Sequence, residues 1–495
     1  MPDIPKQLNE SRSARTIREV FDSGRPLLYI RSSEEQRVAR LLGGMGLPVW
    51  TWRLTEGMRG CSGNGIEAGT QPPRAALDFI LAHEGEGIFH LQDFHEPLRD
   101  SAEIRRRLRD VYEGCFNQRK FVVITSAVRF LPEEVERSVA FLELLPPDAT
   151  ELVAFLHEAN REAGNTADGT ALHAMADALR GLTLDEAGYA LRRALSAGYQ
   201  AGPDALPALL EEKKLLVGRS GYIEFIAAGT ELGEVGGQEG LKTWLRERRK
   251  LFQLRDKLSA DIVPKGVLIM GIPGCGKSLT VKAAANYFQL PLYRLDMIEI
   301  FSGRYGKPES VFVRACRMME EMAPAVLWFD EIEMAVTSAE TGGEQGRIFA
   351  FFLTWMQEKT RGLFVAATAN RIDLLPAEMI RKGRFDEVFF VDVPSPEEQL
   401  EIFQIHLARR GVDAGRFDVP QLLQFTNGWS GAEIEQCVVS AVTRARLEER
   451  DVLQEDLIGI AAKLVPLSRT MKEQIAQIRN WAFERAVRAS PVRRS

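Results

Sequence analysis

Short apolar runs recur along the chain, each followed by a stretch with helical spacing of its apolar positions. In the first half they are Leu27–Arg31, Gly87–Asp93 and Phe121–Ala127; in the second they are Val267–Met270, Ala325–Phe329 and Leu363–Ala367. Runs this short, bounded by turn residues, read as buried strands, and strands alternating with helices predict an α/β protein built on parallel sheets. The runs fall at similar intervals in the two halves, 27 to 88 to 121 and 267 to 326 to 363. The segment SAVRFLPEEVERSVAFLELLPPDATEL (Ser126–Leu152) also reads against the stretch Thr368–Leu400. An internal repeat of this kind predicts two related domains; an unrelated α/β domain with the same order of elements is the alternative.

The helical patterns fill in the rest. Glu151–Ala197, containing GLTLDEAGYALRRAL, is expected to be a helical lid on the first domain. Ala201-Gly202-Pro203 marks a hinge, because glycine beside proline breaks a helix. The sequence LPALLEEKKLLVGRSGYIEFI then reads as an amphipathic bridging helix that stops at Gly218 or Gly221. Leu241–Leu258 predicts a long helix with Trp244 and Leu245 on its apolar side. In the tail, Ile475, Ile478, Trp481 and Ala482 lie at helical spacing. The expected organisation is therefore an N-terminal arm (1–19), an α/β domain (20–150), its lid (151–200), a linker helix (201–230), a second α/β domain (231–393), its lid (394–465) and a basic C-terminal helix (466–495).

Composition narrows the class. The chain has 495 residues, 45% of them apolar and 27% charged, enough for several well-cored domains. The net charge of −6 gives no global attraction to nucleic acid or to an anionic membrane, although the tail from Pro466 carries seven basic against two acidic side chains. No run approaches the length of a membrane span, and the N-terminus lacks a signal-peptide core, so a cytoplasmic setting without membrane attachment is expected. The five cysteines are scattered, which suits reducing surroundings. His83, His90 and His95 cluster in sequence, but their spacing fits no zinc pattern, and a structural or interface role is expected.

The chemistry lies in the second half. GIPGCGKS, Gly271 to Ser278, follows an apolar strand and matches G-x-x-x-x-G-K-[ST]. The turn Gly271, Pro273, Gly274, Cys275 and Gly276 is suited to wrap a phosphate with the backbone N–H groups of its non-proline residues, with Leu279 next along the helix. Lys277 reaches the β- and γ-phosphates, and Ser278 offers a hydroxyl to Mg²⁺. Downstream, Asp330-Glu331 ends a strand. Asp330 suits the hydrated Mg²⁺ and Glu331 suits polarisation of an attacking water. Asn370 follows the next strand, where an amide can orient that water. Arg381 and Arg384 sit three apart beside Gly383, placed to reach a neighbouring subunit's γ-phosphate as an arginine finger; which of the two acts stays open. The first half has Ser32-Ser33-Glu34-Glu35 where the phosphate loop belongs and Gln92-Asp93 where the acidic pair belongs. Two carboxylates and no lysine would repel a triphosphate.

These elements, in this order, resemble the AAA+ ATPases, and among them the AAA clade, over about Glu231–Val465. The resemblance implies a three-layer P-loop sandwich with a helical lid, preceded here by a degenerate AAA+-like domain with its own lid. It implies that Gly236, in Val235-Gly236-Gly237, lies beside the adenine. It also implies that Ile405-His406 lines the ribose and adenine pocket, and that Gly431 and Ala432, within Thr426–Ile434, approach the sugar. It points to a pore loop at Phe301–Ser310, where Arg304 stands in place of the usual aromatic or bulky apolar residue and Tyr305 is next to it. Over nearly its whole length the chain resembles the bacterial and plastid family named for hypothetical chloroplast open reading frame forty-six. The activity implied is Mg²⁺-dependent ATP hydrolysis in a ring oligomer, a hexamer, that remodels or regulates a protein partner. An ATP-gated regulatory scaffold with slow turnover and a nucleic-acid-stimulated ATPase are the alternatives.

Overall fold

The computed structural model describes residues 10–60, 65–162, 168–198, 202–227, 229–255, 257–259, 261–335, 344–360, 362–371, 374–381 and 383–490. The chain divides into two compact units, Met1–Lys213 and Lys214–Ser495. Cys61, Ala201 and Lys382, together with the last arginines of the tail, lie outside the described residues. Among the described residues, no helix is long and apolar enough to cross a membrane.

The first unit is built on six strands: β1 (Leu27–Arg31), β2 (Val49–Arg53), β3 (Gly57–Arg59), β4 (Gly87–Gln92), β5 (Lys120–Ser126) and β6 (Val139–Glu143), ordered β3-β2-β4-β5-β1-β6. All neighbours run parallel except β3, which turns back on β2. Alternation along the strands divides the core between two faces. Leu27, Tyr29, Phe89, Leu91, Val122 and Ile124 pack under the helices Pro73–Ala82 and Ala102–Cys115. Leu28, Ile30, Ile88, Phe121 and Val123 pack on the other face against Arg12–Asp22 and Glu35–Gly43. The arm expected over 1–19 thus contains the start of a helix, Arg12–Asp22, whose Ile17 and Phe21 are buried in this core. Three helices, Ala149–Glu162, Gly169–Leu179 and Leu184–Ser196, follow.

The second unit has seven strands: β7 (Ile223–Ile226), β8 (Gly266–Gly271), β9 (Leu292–Leu295), β10 (Ala325–Phe329), β11 (Leu363–Ala369), β12 (Glu387–Val391) and β13 (Val487–Arg488), ordered β13-β12-β8-β11-β10-β9-β7. The five inner strands, β9-β10-β11-β8-β12, repeat the order β2-β4-β5-β1-β6 of the first unit, all parallel. The correspondence extends to register. Ile30 of β1 lies beside Thr125 of β5, and Ile269 of β8 beside Thr368 of β11. The helices Pro396–Ala408, Val419–Leu423, Gly431–Leu447 and Gln454–Ala461 form a lid with its own core around Phe403, Trp429 and Val438.

Two segments differ from the sequence reading. The bridging helix ends at Gly218, one of the two stops expected, but beyond it Ile223–Ile226 forms a strand that the sequence reading did not include, β7, antiparallel to β9 at the sheet edge. Tyr222 and Ile223 are buried there. The tail helix spans Lys472–Arg485; Ile475 and Ala482 are buried in the second unit's two cores, with Ile478 and Trp481 packed beside them. The chain then continues into β13, which pairs with β12, Val487 beside Phe389. Arg479 of the helix holds Asp392 through both of its carboxylate oxygens at 2.8–2.9 Å.

Candidate nucleotide site

The site forms where β8 meets the helix Lys277–Phe288. Gly271 closes the strand with φ +147°, and a Cβ there would lie 2.0 Å from the Val391 carbonyl of β12. Gly274 and Gly276 take φ values of +77° and +90°, which L side chains rarely adopt. The turn between strand and helix is thereby held tight, with its amides at a helix N-terminus. Lys277 is the first residue of that helix and is buried. Its Nζ donates to the carbonyls of Gly271, at 2.9 Å, and Ile272, at 2.8 Å. Burial lowers the ammonium pKa to about 8.

The acidic wall comes from β10 and β11. Thr368 Oγ1 donates to Asp330 Oδ1 at 2.7 Å and accepts from the Glu331 backbone N–H at 3.2 Å. Glu331 takes φ +49°, a left-handed conformation uncommon for a non-glycine residue. Asn370 Nδ2 donates to Glu331 Oε1 at 2.9 Å. The buried Glu333 accepts from the backbone N–H groups of Asn370 (2.8 Å) and Arg371 (3.1 Å), which fixes the strand end carrying that amide. Desolvation raises the Glu333 pKa. Arg294 of β9 pairs with Glu224 at 2.6 Å and comes within 3.9 Å of Asp330.

The lid closes the third side. A Cβ on Gly236 would lie 2.4 Å from Cγ1 of Ile402, so only glycine permits this approach of the lid helix. The Gly237 N–H donates to Glu401 at 2.8 Å and the Gln238 N–H to Glu398 at 3.1 Å. Gln238 then bridges to the phosphate loop: its Nε2 donates to the Cys275 carbonyl at 3.1 Å and its Oε1 accepts from Thr280 at 2.9 Å. At the start of the third lid helix, Gly431–Leu447, Ser430 and Glu433 form a capping box, and the Ala432 N–H donates to the Gly274 carbonyl at 2.9 Å. His406 is buried, its Nδ1 3.6 Å from Glu435, and desolvation lowers its pKa.

Between these walls is a cavity of about 470 Å³, within the range of small-ligand sites. Gly236, Pro273, Gly274, Cys275, Gly276, Lys277, Ser278, Leu279, Asp330, Glu331, Asn370, His406, Gly431 and Ala432 all line it. Gly271 lies beneath the loop and not on the wall. Arg381, Arg384, Arg304 and Tyr305 do not line it. Arg381 is exposed, and Arg384 donates to the Glu378 carbonyl. Sequence reasoning missed Gln238, Thr368, Arg409 and Glu435, which also line the cavity. Gln238 directly follows the glycine pair, and Arg409 is one helical turn from His406; those spacings were the available signals. Arg409 pairs with Glu234 at 3.1 Å.

The residues present fit a nucleotide with Mg²⁺. The cavity has a glycine cradle, and its lysine stands at the loop, donating to the Gly271 and Ile272 carbonyls. A serine hydroxyl and a carboxylate line the same space.

At the corresponding place in the first unit the loop shortens to Ser32–Glu34, against Ile272–Gly276 in the second. Charged side chains take the space. Arg37 pairs with Glu34 at 2.8 Å and Glu151 at 2.7 Å, and donates to the Leu145 carbonyl and to Ser13. Glu34 also accepts the Leu184 N–H at 2.7 Å, at the start of a helix capped by Thr183 and Glu186 as Ser430 and Glu433 cap theirs. Asp93 takes φ +52°, matching Glu331. The three histidines are separate: His90 bonds Thr125 at 2.9 Å, His95 bonds Ser126 at 2.8 Å, and His83 packs edge-on to Trp50.

In the expected pore loop, Arg304 is exposed and pairs with Glu299 at 3.3 Å. Tyr305 is half-buried, its ring 5.6 Å from that of Tyr222 and against the bare Cα of Gly221.

Comparison with known proteins matches residues 267–393 to the family described as ATPase family associated with various cellular activities (AAA). Residues 13–144 match the N-terminal domain, and 150–220 the second domain, of the SpoVK-like AAA ATPases. The chain is 32% identical over 480 residues to an uncharacterized AAA domain-containing protein ycf46 of Trieres chinensis, covering 95% of this chain and 96% of the relative. It is 32% identical over 478 residues to the protein of the same name from Pyropia yezoensis, covering 94% and 96%. Among solved structures, the FIGL-1 AAA domain aligns with a TM-score of 0.45 at 22% identity, over 56% of this chain and 96% of that one.

Proposed function

Because the chain belongs to the ycf46 family of AAA-domain ATPases, we propose that it hydrolyses ATP with Mg²⁺ at sites completed between subunits of a ring, and that turnover remodels or regulates a protein partner. The ATPase activity follows from the family; the ring, the metal and the partner are the proposal.

Ser278 and Asp330 would hold Mg²⁺, which supplies neutralisation of charge on the phosphate oxygens. The chain's own residues do the rest. The backbone N–H groups of Gly274, Cys275 and Gly276 bind the phosphates. Lys277 leaves the carbonyls of Gly271 and Ile272 and places its charge against them. Glu331, held at Oε1 by Asn370, orients the attacking water and receives its proton. Ile405, His406 and Ala432 enclose the sugar and base and exclude solvent. Because Gly236, Gln238 and Ala432 tie lid to loop, a change at the phosphates displaces the lid helices.

One observation carries the intersubunit reading. Arg409 is the one arginine among the described residues lining the cavity, and it is engaged by Glu234, while Arg381 and Arg384 do not line it. A site of this kind draws the cation for the transition state from another copy. A second reading, an ATP-gated scaffold, is favoured by Tyr305: its ring packs on Tyr222 instead of projecting as a threading residue would. Sedimentation of the full chain with ATP and Mg²⁺, beside phosphate release, tests the proposal. Nucleotide-dependent assembly with turnover supports it; a monomer that hydrolyses at full rate overturns the ring.

A further inference from the structure

A second cavity, of about 430 Å³, lies in the first unit, at the end of the sheet opposite the degenerate phosphate loop. One wall is apolar: Phe21 stacks on Phe121 with ring centroids 4.3 Å apart, and Met45 and Leu47 continue it. The other wall is cationic. Arg18 lines it while paired to Glu10, and Arg119 lines it while paired to Glu86. Lys120 differs from both. It is 5% exposed, lines the cavity, and its ammonium has no hydrogen bond or ion pair to any described residue. Its ammonium opens onto the space of the cavity, where an anionic group can reach it. Asp22 is the one acidic side chain lining the cavity, and it is exposed at the rim.

We propose that this cavity binds a small organic anion, its acidic head on Lys120 and its apolar body against Phe21, Met45 and Leu47. The site is independent of the ATP reading: no residue of it belongs to the nucleotide cavity. It gives the first unit, whose phosphate loop is filled by its own side chains, a ligand of a different kind. Asn117 and Arg119 both take left-handed conformations, φ +61° and +49°, in the turn that brings Lys120 onto β5.

Calorimetry of the full chain, saturated with a non-hydrolysable ATP analogue to occupy the other site, tests this with phenyl phosphate as the probe. The expected result is saturable binding in the millimolar range or tighter. Lys120→Met should weaken it at least ~10-fold, as for loss of a charged hydrogen-bond partner. Leu47→Trp, which fills the apolar end and keeps the lysine, should weaken it as well, and this variant carries the test should Lys120→Met not fold. ATP hydrolysis without the probe is expected to be unchanged in both. No saturable binding to the wild type, or equal affinity in the folded variants, would overturn the proposal. Inorganic phosphate binding as tightly as phenyl phosphate would remove the apolar body from it.

Discussion

Lys277 shows how much of the candidate site is set by single side chains. Its charge is held between two carbonyls in a buried turn, and its pKa falls to about 8 from the ordinary 10.5. The nucleotide-free protein therefore carries a cost that is fully present below pH ~8 and relieved as pH rises toward the unfolded value of about 10.5. Phosphate charge raises the pKa again. ATP-analogue binding at pH about 9 should take up protons through Lys277, and near neutral pH that uptake should vanish. Calorimetry in buffers of different ionisation heat measures it; equal uptake at both pH values would exclude the lysine as its source. Glu331 carries the second residue-scale prediction. Glu331→Gln keeps the shape and the Asn370 contact but cannot accept a proton, so ATP should be retained while turnover falls by ~10²-fold or more. Unchanged steady-state turnover would remove Glu331 from the mechanism.

At the scale of elements, the same strand-loop-helix unit occurs twice with opposite contents. In the second unit the five-residue turn after β8 leaves room for phosphate and touches the lid through Gly274 and Ala432. In the first, a shorter turn places Glu34 on the lid helix, and Arg37 fills the space between Glu34 and Glu151. These charges are buried, Arg37 to 2% exposure, so removing one partner leaves the others uncompensated. Arg37→Met should destabilise the first unit by about 3–5 kcal/mol. Hydrogen exchange of the amides of β1, β4 and β5 measures this within the first unit; a loss below about 1 kcal/mol would show that the network is solvated and does not lock the lid.

For the whole molecule, the prediction is one of complementation. If an arginine comes from the next copy, Glu331→Gln and Arg381→Ala/Arg384→Ala chains are each inactive alone. Mixed, they should regain part of the turnover, because some sites then have an intact Glu331 facing intact arginines. Absence of any rescue in co-assembled material would place the arginines in their own subunit. Much of this was legible in the chain. The glycine turn, Asp330-Glu331 and the repeat of strand runs depend on local spacing, and local spacing is what a sequence displays. Gln238, Thr368 and Arg409 stand close in sequence to legible site residues, but that their own side chains meet the cavity depends on how separate segments come together. The strand β7 was hidden because a run of four residues is identified as a strand only by the sheet edge it pairs with, here β9. The sequence by itself determined the two-fold α/β plan and the family's phosphate chemistry in one half only. Tertiary structure alone decided that the dead loop is sealed by Arg37, that Tyr305 is packed on Tyr222, and that Lys120 lines a cavity. Each of those depends on which distant charges and rings come together, and chain order does not encode that in any local pattern.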